Sequence, residues 1–245
     1  MKKILILSLL LSCKTVFAQP KRKAFAFSIG PGVVAKTNNR HDNQYDKSDK
    51  PTNISFIPFV RLKLGPISLN GGGISLNLAR VSFVSPYLIL KRAGHKYYGI
   101  DMDKRKGSWF FGGGIRVPFL KAEFIKDIQS RSEGSITNLD LSKRMSFGKT
   151  ITIIPGLGFS FRNSQYNNYY YGVRSHEVTS SRSVYMADSS WAYSLSVLGS
   201  YKFSDKLSST VIIKHTTLGD EITDSPTTRT DKEQSLILGL SYDIL

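Results

Sequence analysis

The stretch WAYSLSVLGSYKF, residues 191–203, decides the fold. Its odd-numbered positions are apolar or aromatic from Trp191 to Phe203, whereas its even-numbered positions are mainly Ala, Ser and Lys. Strand side chains point alternately to opposite faces, so this alternation predicts a β-strand with one apolar face. Soluble strands average about 5–6 residues, whereas a tilted membrane-spanning strand needs about 9–11. The length therefore favours a membrane strand.

The same alternation recurs at residues 150–162 and 234–245. The polar faces of these segments carry mostly Gly, Ser and Thr rather than charge, which suits the lumen of a small barrel. Aromatic residues such as Trp191, Tyr201 and Phe203 lie at strand ends, as in the aromatic girdles of outer-membrane barrels. We therefore predict an all-β protein, a transmembrane antiparallel β-barrel, in preference to a soluble β-sandwich.

The strand number depends on a glycine run. Eleven strands are predicted, near residues 24–36, 54–64, 66–79, 81–92, 108–119, 121–130, 137–147, 150–162, 191–203, 207–218 and 234–245. Apolar residues occupy odd positions before Gly71-Gly72-Gly73 and even positions after it, and a continuous strand cannot switch faces. A turn there gives twelve strands, and a bulge with one merger gives ten. An even number is expected of such barrels, and we favour twelve.

The connections fall into two classes. Gly65-Pro66, Gly148-Lys149 and Ser204-Asp205-Lys206 are tight, whereas 37–53, 94–107, 164–190 and 219–233 are long and polar. Short periplasmic turns and long outer loops are typical of outer-membrane barrels. The sequence thus predicts which end of the barrel faces the cell exterior.

Residues 1–18 are predicted to be a signal peptide. Lys2 and Lys3 precede a short apolar run, and a small-residue cleavage pattern ends at Ala18. A single barrel domain would then occupy residues 19–245, exported to the outer membrane. A second reading is a lipoprotein box at residues 10–13, which would make Cys13 a lipid anchor.

The formal net charge is +16. Such an excess suits an anionic surface, so outer-membrane lipid and lipopolysaccharide are the expected partners. Export argues against nucleic acid. The alternative is that the charge serves solubility only.

Two motifs resemble a known family. NNYYYGVRSHE (167–177) and LGDEITDSP (218–226), with the strands between them, are similar to the Tyr-Tyr-Gly-Val motif and the acidic Asp-Ser-Pro loop of the MltA-interacting protein (MipA/OmpV) family. The resemblance implies an outer-membrane barrel without enzyme chemistry or cofactor. It also implies a scaffold role, bridging a lytic transglycosylase and a peptidoglycan synthase. A narrow passive channel for small solutes is the alternative, and an outer-leaflet hydrolase is a third possibility.

The motif loops are the predicted binding surfaces. Aromatic side chains bury much area at low entropic cost, which suits sugars and proteins. The alternative is that the tyrosines fold back into the barrel mouth. The predicted binding residues are Tyr170, Tyr171, Gly172, Val173, Asp220, Glu221, Asp224, Ser225 and Pro226.

Charged residues also fall on the predicted inner face, where they must be hydrated or paired. Arg116, Arg144 and Lys214 are expected to pair with Glu123, Asp127 and Asp140 and so to plug the lumen. The full set of predicted lumen charges is Arg61, Arg116, Glu123, Asp127, Asp140, Arg144 and Lys214.

Catalytic and metal sites are weakly indicated. His215 lies near Asp220 and Glu221, but alternation places His215 on the outer, membrane-facing side. The acids of that loop match no EF-hand spacing, and they are expected to shape the loop rather than to bind a metal. We therefore predict neither a catalytic residue nor a metal.

Overall fold

The computed structural model describes residues 25–45 and 50–244, which form one closed antiparallel sheet. The predicted signal peptide and Cys13 lie outside the described residues. The strands are β1 (Phe25–Thr37), β2 (Thr52–Leu64), β3 (Ile67–Asn70), β4 (Gly73–Asn77), β5 (Ser85–Ala93), β6 (Ser108–Arg116), β7 (Leu120–Asp127), β8 (Ser135–Ser142), β9 (Met145–Phe147), β10 (Ile151–Arg162), β11 (Ser190–Lys202), β12 (Leu207–Thr217) and β13 (Lys232–Asp243).

The barrel has twelve strands, which confirms the preferred count. Every strand except β8 pairs with the next along the chain, and β13 pairs with β1 to close the sheet. Both β8 and β9 pair with β10, so they form one strand that is interrupted at Lys143 and Arg144. The pairing of β13 with β1 closes the sheet, which is the condition for spanning a membrane with strands, although the β3–β4 hairpin is too short to pair with residues 52–60 of β2.

The glycine run is a turn, as the twelve-strand reading required. Gly71 and Gly72 have φ values of +50° and +91°, conformations that suit residues without a Cβ. They join β3 and β4, which are only four and five residues long. The apolar residues change parity here because the chain reverses direction.

The outer face of the barrel is apolar, as predicted. On β11 the odd positions, including Trp191, Leu195 and Val197, are exposed. Phe161 packs against Trp191 and Phe159 against Tyr193, with ring centroids 5.1 and 5.7 Å apart. Cross-strand aromatic pairs of this kind stabilise neighbouring strands.

The inner face is less polar than expected. Ile154, Leu198, Ile212 and Ile237 lie on the inner positions of four neighbouring strands and pair directly across them. Each is half-buried. The lumen therefore contains an apolar row between polar regions.

The long connections of the described residues lie at one end of the barrel, at residues 38–45 with 50–51, 94–107, 163–189 and 218–231. The third contains helix α1 (Ser164–Tyr171) and a 3-10 turn (Ser175–Glu177), and the fourth contains helix α2 (Asp220–Thr223). In the described part of the chain no helix has the length and apolar character needed to cross a membrane.

Candidate functional site

We call residues 38–45, 94–107, 163–189 and 218–231 the outer cap, because they come together over the barrel mouth. Helix α1 begins where the Asn163 side chain accepts a hydrogen bond from the backbone N–H of Tyr166 (3.2 Å), a standard N-cap contact. Tyr166, Tyr170 and Tyr171 are at most 3 % exposed. The helix therefore buries its aromatic face in the mouth.

The aromatic cluster rests on the inner faces of several strands. Its buried barrel members are Phe110, Ile125, Ile136 and Ala192, from β6, β7, β8 and β11. Gly94, at φ +83°, admits the ring of Tyr170, because a Cβ there would collide with its hydroxyl. The tyrosines thus fold back into the mouth, and the predicted binding residues Tyr170, Tyr171, Gly172 and Val173 are all buried.

Arg40 ties four loops together from the centre of the cap. Its guanidinium donates to the carbonyl of Tyr170 (2.5 Å) and to the hydroxyl of Thr227 (2.7 Å). It also stacks 4.0 Å from the centroid of the Tyr171 ring and 4.7 Å from that of Tyr97. Burial lowers the pKa of Arg40, but an arginine stays protonated in proteins. The carbonyl of Tyr170 and the rings of Tyr97 and Tyr171 stabilise its positive charge.

The two family motifs meet directly. The Ser225 hydroxyl donates to the Tyr171 carbonyl (2.6 Å) and is buried. The Glu221 carboxylate accepts from the backbone N–H of Asp188 (2.8 Å), and the Glu221 carbonyl accepts from the Tyr185 hydroxyl (3.0 Å). Glu221 and Ser225 thus hold the acidic loop on the tyrosine loop, and Asp220 and Asp224 stay exposed.

A buried ion pair fastens another part of the cap. The Arg105 guanidinium donates to the Glu177 carboxylate (2.7 Å), and both side chains are at most 1 % exposed. Glu177 also accepts from the backbone N–H groups of Asp103 and Arg174, each at 2.9 Å. Burial alone would raise the pKa of Glu177, but these hydrogen bonds lower it. The carboxylate therefore stays charged at neutral pH.

One group of the described residues has metal-ligand character. Ligand atoms of Asp103, His176 and Glu177 lie within 4.8 Å of one another. Glu177 is already engaged by Arg105, however. Hydrogen bonds from His176 and Arg174 to Asp103 lower the pKa of Asp103. These contacts explain the position of both carboxylates, because each one links residues 94–107 to residues 163–189.

The lumen charges pair differently from the network expected from sequence. Glu123 is fully buried and contacts Lys91 (2.5 Å) and Lys121 (3.1 Å), and the Tyr87 hydroxyl donates to it (2.9 Å). Lys121 also reaches Asp140 (3.5 Å). The cations nearest Glu123 in the folded barrel come from β5 and its own strand, which alternation alone did not single out.

The remaining predicted lumen charges have separate roles. Arg116 bonds Asn77 (2.7 Å) and stacks 3.8 Å from the Tyr87 ring centroid, rather than pairing with an acid. Asp127 accepts from Ser108 and from the hydroxyl and backbone N–H of Ser132, so it caps a loop. Arg61 lies 3.8 Å from Asp243. Arg144 donates weakly to Thr152 (3.4 Å), and Lys214 makes no ion pair within the described residues.

His215 lies on the outer wall and lines a groove of about 730 Å³ with apolar residues such as Leu195 and Ile213. It pairs with Leu195 and Gln234 in the sheet, away from Asp220 and Glu221 in α2. Sequence reasoning missed Arg40, Arg105 and the role of Glu177. Of these three residues, only Glu177 was indicated by the sequence, because it ends the tyrosine motif at residues 167–177.

Comparison with known proteins gives a consistent picture. The family model described as "MltA-interacting protein MipA" matches residues 30–244. The MltA-interacting protein of Escherichia coli K12 is 24 % identical over 98 % of both chains. Outer membrane protein Omp26La of Vibrio anguillarum is 30 % identical over 129 residues, which are 51 % of this chain and 50 % of that protein. The matched region spans about half the length of Omp26La.

Among solved structures, an outer membrane channel from Pseudomonas putida F1 aligns with 92 % of this chain and 99 % of its own, at 10 % identity and a TM-score of 0.44.

Proposed function

This outer-membrane β-barrel belongs to the MltA-interacting protein family, and we propose that it is a non-enzymatic scaffold that holds peptidoglycan-remodelling enzymes at the membrane. The observation that carries the proposal is the similarity to the E. coli MltA-interacting protein over 98 % of both chains. That relative's name describes an interaction with MltA. The names of Omp26La and OmpV describe outer-membrane proteins, and none of these three names describes an enzyme.

The periplasmic end offers a surface for such partners. Its turns are short, and Lys149 and Lys206 are both exposed there. We call these two residues the basic rim. An acidic surface on a peptidoglycan enzyme would complement the basic rim, and such complementarity governs association rate and specificity. We also propose that lipopolysaccharide and outer-membrane lipid contact the outward face of the barrel.

Affinity capture tests the scaffold. The tagged protein in detergent extract is expected to enrich a membrane-bound lytic transglycosylase and a peptidoglycan synthase. Lys149→Glu with Lys206→Glu should weaken capture at least threefold, whereas Lys96→Glu, an exposed charge in the outer cap, should not. Equal capture by both variants would refute the role of the basic rim, and no enrichment would refute the scaffold.

A passive channel is the second candidate, because inner positions below the cap are only half-buried. The buried cluster of the outer cap opposes it. Planar-bilayer recordings decide between them. A closed scaffold should give no discrete openings, whereas regular openings of the native protein would favour the channel.

A further inference from the structure

The barrel wall has an opening beside β2. Pairing of β2 with β3 covers only Arg61–Leu64, and within the described residues no strand pairs with residues 52–60 on that side. On the far side of the short hairpin, β4 pairs with β5 as far as Lys91. At the hairpin itself β2 and β5 are three strand spacings apart, about 14 Å at about 4.8 Å per strand, and beyond its tip no strand of the described residues lies between them.

The unpaired backbone groups of β2 can be identified. The Phe27 carbonyl accepts from Ile244 (2.8 Å), so odd residues of β1 bond towards β13 and even residues towards β2. Even residues of β1 pair with odd residues of β2, such as Ser28 with Arg61. The backbone groups of the odd residues of β2 therefore bond β1. The even residues Ile54, Phe56 and Pro58 therefore direct their backbone groups into the opening.

This edge does not suit a partner strand. Pro58 has no N–H to donate, and proline is typical of edges that remain unpaired. Phe56 is 86 % exposed, whereas Val211 and Leu238, outward-facing residues with a strand on both sides, are 37 % and 44 % exposed. The opening thus faces the membrane at the depth of apolar side chains.

The apolar row of the lumen leads to this opening. Ile154, Leu198, Ile212, Ile237 and Val34 pair in turn across five strands, and all are half-buried. Val34 pairs next with Ser55 of β2, at the unpaired edge. Four spacings make the row about 19 Å long, somewhat more than half of a hydrocarbon core of about 30 Å. That is enough for an acyl chain.

A polar row lies one step closer to the cap. Lys36, Ser235, Lys214 and Ser196 pair across the same strands. Lys36 is 3.5 Å from Glu233, whereas Lys214 interacts with the charges of Asp140 and Glu233 only from beyond ion-pair distance within the described residues. A cation that lies directly beside an apolar row matches the two parts of an acidic amphiphile.

We propose that a fatty acid or similar acyl chain with an acidic head group enters from the surrounding membrane through this opening. Its chain lies on the apolar row and its acid faces Lys214. Entry is lateral, because the aromatic cluster of the outer cap fills the mouth above the row.

Photolabelling tests this inference in the mature protein, reconstituted in nanodiscs of dimyristoylphosphatidylcholine. The probe is palmitic acid with a diazirine in its chain, and labelled residues are mapped by mass spectrometry. Ile213 and Leu236 face outward and should be labelled in any case. Label at their inner neighbours Ile212 and Ile237 is the expected result, and label at the outward residues alone would overturn the proposal.

Variants separate the entry route from the binding surface. Ser55→Trp at the opening and Lys214→Gln should each reduce inner labelling at least fivefold and leave outward labelling unchanged. Ser208→Trp, on the inner face near the periplasmic end, is the matched control and should label as the native protein does. Unchanged inner labelling in Ser55→Trp would refute the lateral route. Disulfide-linked dimers of Phe56→Cys would also overturn it, because a second copy would then cover the edge. Heat-modifiable migration checks folding, and labelling of the native protein decides the proposal if a variant fails to fold.

Discussion

Replacing Glu177 with Gln should loosen the outer cap and leave the barrel folded. Glu177 is the buried carboxylate that neutralises Arg105, at 2.7 Å with both side chains at most 1 % exposed. Breaking a buried pair by removing one charge costs about 3–5 kcal/mol, because the other charge stays buried without a partner. Since about 1.4 kcal/mol is tenfold in an equilibrium, the open population should rise roughly a hundredfold to a few thousandfold.

The chain provides a matched control in a second ion pair between the same two loops. Arg174 bonds the Asp103 carboxylate, but these side chains are 47 % and 49 % exposed. An exposed pair contributes about 0–1 kcal/mol, so Asp103→Asn should change the open population less than about fivefold. The two variants each remove one carboxylate charge from neighbouring loops, and they differ mainly in burial.

Hydrogen–deuterium exchange with mass spectrometry measures this directly. Peptides from residues 163–189 should exchange much faster in Glu177→Gln than in Asp103→Asn at pH 7. Peptides from β11 and β12 should keep their protection in both. If the exchange rates of the two variants agree within twofold, the reasoning is refuted, because burial would then not set the strength of the contact between Arg105 and Glu177.

Three further outcomes are expected. Ser225→Ala removes the hydrogen bond to Tyr171 and should destabilise the cap by about 1 kcal/mol, seen as about fivefold faster exchange of residues 218–231; no change would exclude a contribution from this bond. Gly72→Ala places a Cβ at φ +91° and should destabilise the β3–β4 hairpin by about 1 kcal/mol, measured as a lower urea midpoint on folding into vesicles; a rise would contradict it. Burial, and then the charge of Lys36, lower the pKa of His95 to about 3. The folded cap therefore holds neutral His95, and its stability is fully present above about pH 6.5 and is lost as the pH falls towards 3. The hydrogen–deuterium exchange rate of outer-cap peptides, corrected for intrinsic rates, should rise as the pH falls from 6.5 to 4.5. This pH dependence should be weaker in His95→Gln; an equal pH dependence in that variant would assign the effect to another group.

Much of the barrel was readable from the residues. Alternation from Trp191 to Phe203 predicted the strand and its outward face, because only one face of a spanning strand meets lipid. The change of parity around Gly71-Gly72-Gly73 predicted a turn or a bulge, and the structure has the turn, which gives the preferred twelve strands. The interruption of the strand at Lys143 and Arg144 was not predicted, because apolar periodicity continues through it.

The cap was only partly readable. The tyrosine motif and the acidic loop were recognised, but their contact through Ser225 and Tyr171 joins residues 54 positions apart in sequence. Arg40 had no local signal, because its partners lie in other loops. Lys91 was missed as the partner of Glu123, because both faces of its strand are apolar and its direction was ambiguous.

By itself the sequence determined the fold class, the outward face and the family, and it narrowed the strand number to ten or twelve, because period-two alternation and turn chemistry are local properties. The tertiary structure alone decided which charges meet, how the outer cap closes and where the wall opens. These depend on register between strands and on loops that meet across the mouth. A shift of pairing by one residue would send the row from Val34 to Ile154 to the other face.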